Sequence, residues 1–263
     1  MKPLRIACCQ FRAAPADKIG NIDRMRGFAE EAARLGARIV LYPELIVTGY
    51  IAAERIPALA EPVPGPAVSS LAKVAAGLGV ALAFGMAERE PDGTGHNSLV
   101  FLSSRGELAG VYRKAHLWDT EKRWAVPGVG SIVVDYEGAR AGGWICYDTR
   151  FPELARAQAV AGAELGLVST AWLGPGEEWE LALRARALDN AMFVAGADIV
   201  DPGIGCHGRS LVVDPNGNVI ARARADEECL ITADLDPEVM ARQRGRVPLL
   251  RDRRPEAYDV PST

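Results

Sequence analysis

No stretch of the 263 residues stays apolar for the length that a bilayer crossing needs. The opening Met-Lys-Pro-Leu-Arg-Ile-Ala-Cys-Cys-Gln lacks the long apolar run and small-residue cleavage site of a secretory signal. It reads as a first strand, and the expected location is cytoplasmic, with no membrane partner. A basic stripe is missing too. Net charge is −4, and the short cluster Arg251, Arg253 and Arg254 is mixed with acids. A phosphate backbone finds no footprint here, so nucleic acid is not an expected partner. The cluster reads as a solvated or docked tail.

Cysteine and histidine are scarce. The five cysteines are Cys8, Cys9, Cys146, Cys206 and Cys229. An odd number in a chain of this size points to reduced thiols rather than a disulfide framework. Cys8 and Cys9 lie in an apolar run and read as small core hydrophobes. No Cys-x-x-Cys or His-x-x-x-His spacing occurs, which argues against structural zinc. The histidines are His96, His116 and His207. None stands beside a convincing orienting acid, so a papain-like Cys–His dyad is not expected.

What remains is an ordinary globular balance, 49% hydrophobic and 24% charged, ample for a sizeable core. Short apolar strands alternate with helices. Strands are expected at 4–9, 37–42, 80–85, 98–102, 108–113, 131–135, 139–145, 165–170, 192–199 and 229–233. Helices are expected over Ile22 to Leu35, 67–76, 152–161 and 177–191, with Gly36 as a C-cap. Asp214-Pro215-Asn216-Gly217 is a hairpin turn. Several strands are joined directly, which predicts a mixed rather than strictly parallel sheet covered by helices. No linker breaks the chain; the Pro-rich 61–66 stretch is too short. Residues 1–263 are read as one domain, with a polar, proline-punctuated tail from about 247.

Three strand ends carry a reactive side chain. Glu44 follows Ile39-Val40-Leu41-Tyr42-Pro43; burial there would raise a carboxyl toward neutrality and make it a usable base. Lys114 follows Val111-Tyr112-Arg113 and can hold positive charge where an oxyanion develops. Cys146 ends Gly142-Gly143-Trp144-Ile145 before a helix that opens at Pro152. Such a strand-turn-helix corner exposes a nucleophile, and a helix N-terminus and a lysine nearby would favour its thiolate. Together these supply the nucleophile, base and electrophilic stabiliser of acyl transfer.

The stretches Tyr42-Pro43-Glu44-Leu45-Ile46-Val47-Thr48-Gly49-Tyr50, Tyr112-Arg113-Lys114-Ala115-His116-Leu117 and Ile145-Cys146-Tyr147-Asp148-Thr149-Arg150-Phe151-Pro152-Glu153 resemble, in order, the three catalytic blocks of the carbon–nitrogen hydrolase (nitrilase) superfamily. Similarity extends through 183–190 and 208–217 to the Arg253-Arg254-Pro255-Glu256 tail. The resemblance implies an α/β fold, a four-layer α-β-β-α sandwich of mixed sheets flanked by helices. It implies Glu44 as base, Lys114 as transition-state stabiliser and Cys146 as nucleophile, with no metal or organic cofactor. Glu121 matches a second acid that would orient Lys114 or the substrate amine. The family usually forms homodimers through helices, its tail reaching the partner subunit.

Cys146-Tyr147-Asp148 resembles the amidase and ω-amidase branches, whereas nitrilases usually carry Cys-Trp-Glu. Carbamoyl amino acid hydrolases usually carry Cys-Asn-Asp and two arginines; here Arg150 fills only the second. Arg150 reads either as a carboxylate clamp or as an ion-pair partner of Glu153 or Asp148. Tyr50, Tyr147 and Trp172 are expected to line a small, partly aromatic pocket. The expected partner is a small aliphatic amide or dicarboxylic monoamide. Carbamoylase and nitrilase activity are the rival readings, and a non-catalytic scaffold is the remaining one. Gly203-x-Gly205-x-x-Gly208 has dinucleotide spacing but precedes a strand rather than a helix, and reads as a loop.

Overall fold

The first half of the chain alternates β1 (Leu4–Gln10), α1 (Lys18–Arg34), β2 (Ile39–Leu41), α2 (Pro66–Leu78), β3 (Ala81–Arg89), β4 (Gly95–Leu102) and β5 (Leu108–Arg113). The second half begins with β6 (Val133–Tyr136), β7 (Ala139–Ile145), α3 (Pro152–Val160), β8 (Leu165–Thr170), α4 (Gly176–Asn190) and β9 (Phe193–Asp198). The short β10 (Val200–Asp201) and β11 (Cys206–His207) follow, then β12 (Leu211–Val213), β13 (Val219–Arg222), β14 (Cys229–Leu235) and α5 (Pro237–Arg246). These elements come from a computed structural model, which describes residues 1–258. The last five residues of the expected docking tail lie outside the described residues.

Two six-stranded mixed sheets result, ordered β14-β1-β2-β3-β4-β5 and β13-β12-β9-β8-β7-β6. Each has three parallel central strands, β1-β2-β3 in one and β7-β8-β9 in the other, with antiparallel strands outside them. Helices α1 and α2 are the crossovers of the first trio, and α3 and α4 those of the second. The halves thus repeat one plan without a fixed sequence period.

Strand alternation builds the layers. In β1 and β2, Ile6, Cys8, Ile39 and Leu41 share one core with Leu165, Leu167 and Trp144 of the other sheet. Their neighbours Ala7, Cys9, Val40 and Tyr42 turn the other way, against Met25 and Ala29 of α1 and Leu71 of α2. Trp179 and Leu183 of α4 pack on the second sheet. The order is helices, sheet, sheet, helices. Cys8 and Cys9 are completely buried, one in each layer.

Helix ends follow local chemistry. Asp17 Oδ1 accepts the Gly20 N–H at 3.0 Å at the start of α1, and Gly36 turns the chain out at φ +79°. Pro66 opens α2, and Gly79 ends it in the left-handed region at φ +65°.

Two features depart from sequence expectation. Helix α5 carries too few apolar residues to show helical periodicity, although Asp236 caps it through the Glu238 N–H and Pro237 starts it. Strand β3 runs four residues past Gly85, because β4 pairs with it as far as Arg89. The Gly203–Gly208 segment holds a 3-10 turn and the two-residue β11 and is followed by strand β12, not by a helix. No helix among the described residues is long and apolar enough to cross a membrane.

Candidate active site

Sheet topology brings the three reactive strand ends together. Glu44 leaves β2 of the first sheet, yet its backbone N–H reaches the carbonyl of Thr170, at the end of β8 in the second. Its Oε2 accepts the Ala171 N–H at 2.9 Å. Glu44 therefore spans the two sheets. Gly85 makes this approach possible: a Cβ there would lie 2.6 Å from the Glu44 Cα and 2.7 Å from the Leu45 nitrogen.

Lys114, just beyond β5, is 1% exposed. Its Nζ donates to Glu44 Oε1 at 2.7 Å and to Glu121 Oε1 at 2.9 Å. Glu121, on a 3-10 turn over Asp119–Arg123, is itself fixed by the Trp118 N–H at 2.7 Å. Asn97 of β4 closes the ring. One amide nitrogen, Nδ2, donates to Glu44 Oε1 at 2.8 Å and to Glu121 Oε1 at 2.7 Å. Two carboxylates thus share one ammonium and one amide, all buried.

Cys146 starts the 3-10 turn Cys146–Arg150 that joins β7 to α3. Its φ of +45° lies in the left-handed region, uncommon for a residue with a Cβ, at the strand-turn-helix corner. Its Sγ donates to the Ala171 carbonyl at 3.5 Å. Ala171 therefore holds the Cys146 thiol with its carbonyl and the Glu44 carboxylate with its N–H.

Burial dominates the electrostatics. It pushes the Glu44 carboxyl up to about 7, against the pull of Lys114. Burial works against the Lys114 charge as well, but Glu44, Cys146 and Glu121 together hold its pKa well above the usual lysine value. The Cys146 thiol is pushed well above its ordinary value by burial and by Glu44, and Lys114 only partly offsets this. Lys114 favours the thiolate as expected, but burial and Glu44, which the sequence did not weigh, act against it and outweigh it.

A second network ties the lysine strand to the cysteine turn. Asp148, 1% exposed, accepts from the Tyr112 hydroxyl at 2.8 Å, the His116 N–H at 2.9 Å and the Ile145 N–H at 3.2 Å. The Nδ1 of His116 lies 2.7 Å from Asp148 Oδ1, and its ring stacks on Phe151. Each histidine has an acid partner after all: Glu90 for His96, Asp148 for His116 and Asp226 for His207. Sequence order hid those acids. The acceptor for the Cys146 thiol is nevertheless Ala171.

A cavity of about 210 Å³ opens on Cys146, walled by Trp118, Tyr147, Ala171 and Trp172, with Arg150 and Glu178 also lining it. Tyr147, Arg150 and Trp172 all line it. Arg150 pairs with Glu178 at 2.5 Å, not with Glu153 or Asp148. Tyr50 does not line this cavity. It is half-buried between two core clusters, where burial and the charges of Glu44, Cys146 and Glu121 raise its hydroxyl pKa. Asn97 and Glu178 went unread in the sequence, and Asp148 was read only as a possible partner of Arg150. Asn97 lies mid-strand between His96 and Ser98 and carries no local mark; Asp148 did stand inside the cysteine block.

The carbon–nitrogen hydrolase family model matches residues 5–244, and the chain belongs to that family. It is an α/β enzyme of the nitrilase superfamily, a carbon–nitrogen hydrolase. A hydrolase from Pseudomonas protegens is 37% identical, over 98% of this chain and 92% of that one. The omega-amidase of Homo sapiens is 34% identical, over 99% and 98%. Among solved structures, Saccharomyces cerevisiae Nit3 superposes with a TM-score of 0.89 at 29% identity, over 96% of this chain and 97% of that one. An amidase from Nesterenkonia sp. gives 0.84 at 31% identity, over 97% and 95%. In a mutant of that amidase, the acetamide moiety of fluoroacetamide is covalently added at the active-site cysteine.

Proposed function

We propose that the chain hydrolyses the C–N bond of a small primary amide, aliphatic or the monoamide of a dicarboxylic acid, through a thioester on Cys146. One observation carries the reading. Ala171 holds the Cys146 thiol and the Glu44 carboxylate at one point, beside the Lys114 ammonium.

Glu44 takes the thiol proton, and sulfur attacks the amide carbon. Its pKa near 7 suits both accepting a proton and returning it. The oxyanion forms against Lys114 and the backbone N–H of Tyr147. Collapse breaks the C–N bond, and Glu44 returns its proton to the leaving nitrogen, which departs as ammonia. Water then gives a proton to Glu44 and attacks the thioester. The C–S bond breaks, Glu44 returns that proton to the Cys146 sulfur, and the carboxylic acid product departs. Glu121 acts through Lys114 as a positioning residue, holding the ammonium toward the oxyanion. Exposed Val160, Leu181 and Leu188 on α3 and α4 support a homodimer through those helices, with the tail from 247 against the partner subunit.

The test is ammonia release from amides, ω-amides, carbamoyl compounds and nitriles, beside Cys146→Ala. Amide turnover lost in the variant is the expected result. Carbon dioxide released with the ammonia would instead mark a carbamoylase, and turnover of a nitrile a nitrilase. No turnover, with Cys146 alkylating no faster than Cys229, would sink the hydrolytic assignment of this site.

A further inference from the structure

Arg150 and Glu178 reach the same cavity from different elements. Arg150 closes the 3-10 turn that begins at Cys146, and Glu178 lies in the first turn of α4. A 3-10 turn rises about 2 Å per residue, which puts the Arg150 Cα roughly 8 Å from that of Cys146. This is the reach of a short aliphatic substrate whose amide sits on the sulfur. Both side chains are about half exposed, 46% and 49%, so they mark the solvent end of the cavity. Trp172 forms the floor beneath them, with the guanidinium carbon 4.8 Å from its ring centroid.

The pair is bonded through one atom on each side, Arg150 Nη2 to Glu178 Oε2. Among the described residues the rest of the guanidinium fork makes no hydrogen bond, and neither does Glu178 Oε1. A fork with an open edge can take a carboxylate in two parallel bonds. A carboxylate with an open oxygen can take an ammonium. The indole N–H of Trp172 is also buried without a partner among the described residues. It flanks Gly174 on the side where Glu178 Oε2 lies.

The three ligand charge patterns are not equivalent here. A neutral amide uses neither charge. The monoamide of a dicarboxylic acid would take Arg150 but set its carboxylate against Glu178, a like charge left unpaired. A zwitterion satisfies both, its carboxylate on Arg150 and its ammonium on Glu178, and leaves no charge alone.

We infer that Arg150 and Glu178 form a head-group subsite for a zwitterionic α-amino acid whose side chain ends in the carboxamide presented to Cys146. This rests on the amide reading above and narrows it. The arrangement rejects dicarboxylic monoamides that lack the amine.

Two matched series test it by ammonia release. The longer comprises glutamine, glutaramate, 4-aminobutanamide and butanamide; the shorter comprises asparagine, succinamate, 3-aminopropanamide and propanamide. In at least one series the amino acid should exceed its desamino partner in kcat/KM by about tenfold or more. Glu178→Gln should lower the amino acid and raise the desamino acid. Arg150→Gln should lower both carboxylate-bearing members more than the neutral amide. If the desamino acid matches the amino acid in both series and Glu178→Gln changes neither, the subsite is refuted while the hydrolase stands. If no amide turns over, calorimetric titration of the Cys146→Ala protein with the same compounds decides. Tighter binding of the amino acid, lost on Glu178→Gln, would keep the subsite and refute amide hydrolysis. Equal or absent binding would refute both.

Discussion

The side-chain amide of Asn97 donates from a single nitrogen to Glu44 at 2.8 Å and to Glu121 at 2.7 Å. Both bonds end on the oxygens that also face Lys114. Asn97 therefore fixes which oxygen of Glu44 is committed to the lysine, leaving the other for the Ala171 N–H.

That bond stabilises the ionised carboxylate, so it sets the pH dependence. Glu44 must be deprotonated to accept the thiol proton, and burial raises its pKa to about 7. kcat/KM should therefore fall as pH drops through about 7. Asn97→Ala removes a donor to the charged form, which raises the pKa further and moves the acid limb to higher pH. At pH 7 the loss should be about tenfold, the worth of one hydrogen bond to a charged group. A full pH profile of both proteins checks this; an unmoved limb would refute the role given to Asn97.

Gly85→Ala is a purely steric test. The added methyl would strike the Glu44 backbone and push its carboxylate off Lys114. A misplacement of about 1 Å in a catalytic group costs on the order of a hundredfold. We expect kcat to drop by about that factor with far-UV circular dichroism unchanged.

Lys114→Met should cost stability as well as activity. It leaves Glu44 and Glu121 buried side by side without their shared cation, and breaking such a pair costs about 3–5 kcal/mol. Adding Glu121→Gln removes one of the stranded charges. Denaturant unfolding should show the double variant recovering part of the loss, while ammonia release stays abolished in both.

Asp148→Asn replaces a four-bond acceptor by a group with one acceptor oxygen and a donating amide. The Tyr112 hydroxyl, the His116 and Ile145 N–H groups and the His116 ring then compete for that oxygen. Buried donors without acceptors cost about 1–3 kcal/mol each. The midpoint of thermal unfolding should fall. Because this network joins the Lys114 strand end to the Cys146 turn, kcat should fall more than KM rises.

Much of this was legible in the chain itself. Short strand-like runs at Leu108–Arg113 and Ala139–Ile145 ended where the strands end. Gly36 and Pro152 marked helix boundaries through backbone constraints that need no partner. Helix α5 escaped because a helix held mainly by its cap and by Met240 and Gln243 shows no apolar stripe.

Residue type and order alone determined that Glu44, Lys114 and Cys146 each stand just past the end of a strand. Tertiary structure decided what surrounds them. Burial and Glu44 raise the pKa of the Cys146 thiol more than Lys114 lowers it, a balance set by distances that no local spacing encodes. Arg150 chose Glu178, 28 positions away, because the cysteine turn and α4 pack against the same cavity. Glu121, Asn97 and Asp148 meet their partners across turns and strands whose proximity follows from sheet order. Sequence assigns side chains to strand ends; only the stacking of two sheets brings those ends together and excludes the water that would otherwise screen their charges.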